Sequence, residues 1–328
     1  MGERHPTPMH YRKLLFLLLF LSGPVLWAQS GTLTKRDRAA LEEAEQRMKE
    51  LVTTVYTDSS AEARFAACRS LIRELVTSLD RPNSYAYRFG EMPGLSVQYA
   101  PDSSFRIFSW ELTVDRDGYR HYGAIQRNTE ELVLIPLLDR GDDWLENPEN
   151  AIVRADNWLG YVVYRIAEGG TFEGRPYYFL LGFDSYEAYR RRKILDVLSF
   201  DGEGRPVFGL PVFTTYTESG LLLAGRARMI MQYGAEAAMA LRFDPEMGGI
   251  VYENLILVPG SYGEGPVYMP DGSYRMLQLG EDGKWREEEQ VFDHKYEEAP
   301  REVPKPSEGR DLLGRERKPG SGGGAEGG

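Results

Sequence analysis

Residues 105–125 read FRIFSWELTVDRDGYRHYGAI, and the way this stretch folds decides what surrounds it. Phe108, Trp110, Leu112 and Val114 alternate with more polar residues, and residues two apart share a face of a strand. Asp117-Gly118 supplies a two-residue hairpin loop, because both positions of such a turn take positive φ, which Asp and Gly tolerate. With that pair as the loop, Val114 faces His121, Leu112 faces Gly123 and Trp110 faces Ile125. Opposite residues share a face. The reading therefore sends His121 into the apolar layer as a packed core imidazole.

Upstream of the hairpin the apolar period changes to that of a helix. From Lys35 to Val55, Leu41, Ala44, Met48, Leu51 and Val55 recur at steps of three and four. Ser59 with Glu62 forms a capping box that opens a second helix, whose apolar stripe is Phe65, Cys68, Ile72, Leu75 and Leu79. Arg81-Pro82-Asn83 closes the pair. Cys68, the single cysteine, sits inside the stripe and reads as a buried, inert thiol.

Downstream the texture stays β. Tyr177 to Phe183, Ile194 to Phe200 and Pro206 to Phe213 read as buried apolar strands. A hairpin is expected around Asp244 to Gly249, joining Met239–Phe243 to Ile250–Tyr252. A three-residue loop at Glu281-Asp282-Gly283 sets Leu279 across from Trp285. Asp142 to Ile166 mixes acidic turns with Trp144, Trp158 and Tyr161 and has room for a short helix. These patterns predict an α+β fold: an N-terminal helical hairpin packed on a large antiparallel β domain, either a sandwich or a barrel-like sheet. The predicted layout is a signal peptide over 1–28, the helical hairpin over 29–82, the β-rich domain over 83–297 and a disordered tail over 298–328. The tail is rich in Pro, Glu, Lys, Arg and Gly and carries too little apolar surface to offset its ordering entropy.

The first residues point to export. A basic lead ending at Arg12-Lys13 precedes the apolar run Leu14–Leu21, and Ala28 supplies a small residue for cleavage before Gln29. That run is short for a ~30 Å hydrocarbon layer, so no stable membrane span is expected after cleavage. The 328-residue chain carries a formal charge of −11, a poor match for nucleic acid. A lone Cys in an exported chain fits a bacterial periplasmic or surface protein better than a disulfide-stapled secreted one.

The segment from Ser109 to Val291 resembles a group of uncharacterised exported proteins of Bacteroidetes-type bacteria. The resemblance rests on Tyr178–Asp184, Arg192–Phe200, Arg205–Gly209, Leu241–Asp244 and Gly283-Lys284-Trp285. Where the group has an Asp-His pair after a hairpin strand, this chain has Val251-Tyr252-Glu253-Asn254-Leu255. The resemblance implies export and a shared β-rich fold, with no activity attached.

Catalytic motifs are scarce. Past the expected signal only His121 and His294 remain, which argues against a zinc site of the usual His/Cys type. There is no nucleophile elbow, phosphate-binding Gly loop or dinucleotide fingerprint, so neither metal nor cofactor is expected. Asp115, Asp117, Asp142, Asp143, Asp201 and Glu203 fall in predicted turns, where Asp commonly bonds its own backbone. The chain has 20 Tyr, 14 Phe and 5 Trp, and exposed rings stack on sugars or anchor proteins. Trp158, Tyr161, Tyr177 and Tyr178 are the ligand-binding candidates. The leading expectation is a non-catalytic binding or envelope-associated protein with a polysaccharide or another envelope protein as partner. The alternative is a carboxylate-based hydrolase of a polysaccharide or envelope polymer, whose paired acids need a fixed gap.

Overall fold

Among the described residues, two α-helices and sixteen strands are stacked in four layers, with two short 3-10 turns between them. The computed structural model describes residues 31–141, 147–216 and 220–288. The expected signal peptide and tail fall outside these residues, as do Asp142, Asp143, Trp144 and His294.

Helix α1 spans Lys35–Thr57 and is capped by Thr34, whose hydroxyl accepts the Asp37 N–H at 3.1 Å. Helix α2 spans Ala61–Leu79. Its cap is Ser60, one residue later than expected, because the Asp58 carboxylate takes the Ser60 N–H and turns the chain early. Leu41, Ala44, Met48, Val52 and Val55 of α1 meet Ala67, Cys68, Leu71, Leu75 and Leu79 of α2. No helix among the described residues is long and apolar enough to cross a membrane.

The first sheet is antiparallel and runs in chain order: β1 (Ser96–Tyr99), β2 (Phe105–Thr113), β3 (Tyr119–Arg127) and β4 (Leu134–Leu138). Strand β2 is buried on both faces. Phe108, Trp110 and Leu112 pack on the helices, as the alternation predicts. Phe105 and Ile107 pack the other way, onto the second sheet.

The register of β2 against β3 differs from the sequence reading. Thr113 pairs Tyr119, Trp110 pairs Tyr122 and Glu111 pairs His121, a shift of three positions from the predicted pairing. The Asp117-Gly118 pair is only the end of a longer loop. Asp115 accepts the Asp117 N–H at 3.0 Å, while Val114 and Asp115 both direct their N–H groups at the Gly118 carbonyl. An odd shift flips every side chain to the opposite face. His121 therefore leaves the Trp110 face and joins Glu111 between the sheets.

The second sheet contains β5 (Val153–Arg154), β6 (Val162–Phe172), β7 (Arg175–Glu187), β8 (Arg190–Phe200) and β9 (Pro206–Phe208), in the order β5-β9-β8-β7-β6. The expected strand from Pro206 to Phe213 breaks at Gly209, which takes a φ of 87°, and the chain passes to the third sheet. There β10 (Phe213–Tyr216) and β11 (Leu222–Arg226) pair, whereas β12 (Met229–Gly234) returns to β8. Strands β13 (Leu241–Asp244), β14 (Gly249–Pro259), β15 (Pro266–Leu279) and β16 (Trp285–Glu288) complete it in the order β11-β10-β16-β15-β14-β13. The predicted hairpin of Met239–Phe243 with Ile250–Tyr252 forms, with Leu241 opposite Tyr252, and the predicted pairing of Leu279 with Trp285 is present.

Alternation along β7 ties the layers together. Tyr178 and Leu180 point at the first sheet, joining Phe105, Ile107 and Ile125. Tyr177, Phe179 and Leu181 point at the third, joining Phe213, Ile250, Leu277 and Trp285. The fold is thus α+β, with three stacked sheets under a helical hairpin.

Candidate functional site

The layer between the first two sheets is apolar at one end and acidic at the other. On β2 the inward side chains run Phe105, Ile107, Ser109, Glu111; on β3 they run Ile125, Gly123, His121; on β7 they run Tyr178, Leu180, Gly182, Asp184. Asp139, the residue after β4, reaches the same place. His121, Glu111 and Asp184 are 6–8% exposed.

The His121 ring stands at the centre. Its Nδ1 lies 3.3 Å from Asp139 Oδ2. Its Nε2 lies 3.5 Å from Glu111 Oε2 and 3.4 Å from Asp184 Oδ1, and neither contact is aligned as a hydrogen bond. Each carboxylate is held from behind. Glu111 accepts the Ser185 hydroxyl at 2.5 Å and its N–H at 3.3 Å. Asp139 accepts the backbone N–H groups of His121 at 2.8 Å and Gly141 at 3.1 Å. Asp184 accepts the Tyr186 N–H at 2.8 Å across a bulge in β7, where Tyr186 takes a φ of 54°. Gly160 makes room for Asp139: a Cβ there would stand 2.4 Å from Asp139 Oδ1.

Electrostatics divides the acids. Burial pushes Glu111 up, but the attraction of the nearby His121 ring and the hydrogen bonds from Ser185 outweigh it and hold its carboxyl below the ordinary range. Asp139 is likewise pushed up by burial and brought below its usual value by His121. For Asp184 burial wins over the attraction of His121, and its carboxyl is held above the usual range. Burial pushes His121 down, yet Asp139, Glu111 and Asp184 together lift it to about 10. The group opens onto a hollow of about 210 Å³ bordered by Asp117, Tyr119, Tyr186 and Arg192. Arg192 covers the Tyr186 ring at 3.1 Å and keeps a guanidinium nitrogen 3.9 Å from Asp184.

The four aromatic candidates lie elsewhere, in the core. Trp158 and Tyr161 are fully buried and lie 5.0 Å apart, with the Tyr161 hydroxyl donating to Asp196 at 3.0 Å. Tyr177 accepts the Trp285 indole N–H at 2.8 Å on the far side of the second sheet. Tyr178 donates to Asp102 at 2.6 Å and only its edge borders a hollow of about 600 Å³ beside Phe200. All four rings are buried. Of the turn acids, Asp115 and Asp201 bond their own turns, Asp201 accepting the Glu203 and Arg205 N–H groups. Asp117 borders the hollow.

Glu111, Asp139 and Asp184 were not singled out by the sequence reading. The signal was present in two of them: Glu111 interrupts a strand buried on both faces, and Asp184 ends the apolar run from Tyr178. Cys68 lies among the core residues where it was expected, accepting the Trp110 indole N–H at 3.4 Å, with burial pushing its thiol pKa up. No protein-family model, curated protein or solved structure matches the chain.

Proposed function

We propose that this is an exported, envelope-associated binding protein whose working centre is the His121 cluster rather than an aromatic platform. Export is supported by the basic lead, apolar run and Ala28 at the start of the chain. The observation that carries the site is the imbalance of charge: one imidazole faces three carboxylates, in a layer where each buried charge is costly. His121 and Asp139 border two hollows, of about 460 Å³ and about 210 Å³, and the smaller one, which Asp184 also lines, is below the ~300–1,000 Å³ that suits an extended organic ligand. It fits a small polar ligand, or one polar group of a larger envelope polymer.

A carboxylate-based hydrolase is the second reading, favoured by the division between a raised Asp184 and a lowered Glu111. Its difficulty is spacing. Ligand atoms of Glu111, His121 and Asp184 all lie within 4.8 Å of one another, tighter than the roughly 5–9.5 Å between the two acids of glycosidases.

The test is the melting temperature of Asp184→Asn, measured with a chelator present. A binding site carries excess charge at the expense of stability, so removing one charge should raise the melting temperature by about 2–4 °C, worth about 1 kcal/mol. A fall of that size would make the cluster a structural ion network and sink the assignment. Dye release from envelope polysaccharide, abolished by Glu111→Gln, would decide for the hydrolase.

A further inference from the structure

We propose that Glu111, His121 and Asp184 ligate a divalent first-row transition metal, with zinc the best fit. The proposal rests on the His121 cluster being a binding site and names its ligand.

Three features carry it. First, His121 is more than nine-tenths buried and its Nε2 has no hydrogen-bond partner, although it is aimed between two carboxylates. A buried polar atom without a partner calls for an explanation.

Second, the spacing is that of ligands around one ion. Metal–ligand bonds of about 2.1 Å at tetrahedral angles put neighbouring donor atoms about 3.4 Å apart. The two separations from His121 Nε2 are 3.5 Å and 3.4 Å, longer than hydrogen bonds of ~2.7–3.2 Å.

Third, each ligand already has the outer partner that a metal site requires. Asp139 stands on Nδ1, fixing the ring so that Nε2 faces the ion. Ser185 holds Glu111, and the Tyr186 N–H holds Asp184. One imidazole with two carboxylates also neutralises a divalent charge, and the nitrogen donor favours zinc over calcium or magnesium, which prefer oxygen-only shells. The fourth position would face the hollow, beside Arg192 and Tyr186.

The experiment uses the full chain without an affinity tag, stripped with chelator and titrated calorimetrically with Zn²⁺ and, for its visible bands, with Co²⁺. Parallel titrations use Ca²⁺ and Mg²⁺. One equivalent of zinc should bind, and cobalt should give the intense bands of a four- or five-coordinate ion. Glu111→Gln and Asp184→Asn should lose binding. Asp139→Asn should weaken it about tenfold to a hundredfold, and the surface variant Asp201→Asn should match the parent. Circular dichroism confirms that each variant is folded. If Asp184→Asn does not fold, Asp139→Asn alone decides, since it leaves all three ligands in place.

Absence of zinc and cobalt binding by the folded parent, preference for Ca²⁺ or Mg²⁺, or binding that survives the ligand variants would each overturn the metal proposal. In those cases a protonated His121 offsets only part of the acids' charge, and the chelator-phase melt of Asp184→Asn still decides whether the cluster is a site. A negative titration with a raised melt removes the metal and keeps the site. A negative titration with a lowered melt removes both.

Discussion

In the layer between the first and second sheets, two buried charged groups are built on opposite terms. Arg228 and Asp196 are both 0% exposed and matched one to one, with Arg228 Nε donating to Asp196 at 3.0 Å. Asp196 also accepts the Tyr161 hydroxyl and the Val197 N–H, and Arg228 Nη1 donates to the Pro148 and Ala151 carbonyls. In the His121 cluster one imidazole meets three carboxylates, and this imbalance rather than an unpaired nitrogen separates the two groups, since Arg228 Nη2 and His121 Nε2 both lack a hydrogen-bond partner. A balanced, bonded pair holds the chain in place. An unbalanced group opening onto a hollow is what a ligand completes.

The comparison breaks first at Asp196. An amide there would turn an N–H group toward one of three donors and leave Arg228 an uncompensated buried charge. Asp196→Asn should cost about 3–5 kcal/mol in a denaturant melt. A loss under about 1 kcal/mol would mean the pair is solvated and the contrast false. Gly160→Ala strikes the other end through the backbone. Its φ of 82° and the 2.4 Å approach to Asp139 leave no place for a methyl, and about 1–3 kcal/mol should be lost. An unchanged melt would show that Asp139 is free to move away from His121.

Asp184→Asn is smaller in size and opposite in sign to Asp196→Asn, a gain of about 1 kcal/mol. Two Asp→Asn changes in one layer with opposite effects would sharpen the comparison as no single variant can. The smallest expected effect is at Cys68. Its buried thiol, pushed up in pKa, should stay unreacted with an aromatic disulfide reagent until the protein unfolds. Rapid labelling of the native protein would mean that the helices lift off β2 and uncover the layer beneath, where Glu111 N–H is tied to the Tyr56 hydroxyl at 3.2 Å.

How far the sequence reached depended on whether local chemistry agreed with the longer pattern. Leu279 and Trp285 pair as read because the Asp282 bond to the Lys284 N–H stays between the paired residues, with the Gly280 N–H reaching the Lys284 carbonyl as a short turn requires. In the first hairpin a rival was present. The Asp115 side chain bonds the backbone two residues on, which lengthens the loop and moves the register by an odd number. That one side chain separates a core histidine from a clustered one. The stripe of Phe108, Trp110 and Leu112 was legible because a helical hairpin covers it. That the opposite face of β2 would also be covered depends on a sheet more than 50 residues downstream, and periodicity along one strand carries no trace of it. Asp139 and Gly160 come together across loops, beyond any local pattern.

The order of strands in the third sheet has a kinetic meaning. Strand β16 lies between β10 and β15, and it runs parallel to β10, pairing Phe213 with Trp285. Strands β10 and β11 thus have no neighbour on that side until the last strand of the sheet has emerged. Non-local parallel pairings close slowly, because the intervening chain loses its entropy before the contact repays it. Until then an open edge faces solvent, a template for pairing with another chain. A nascent chain should accordingly stay dependent on a holding partner until β16 has cleared the ribosome.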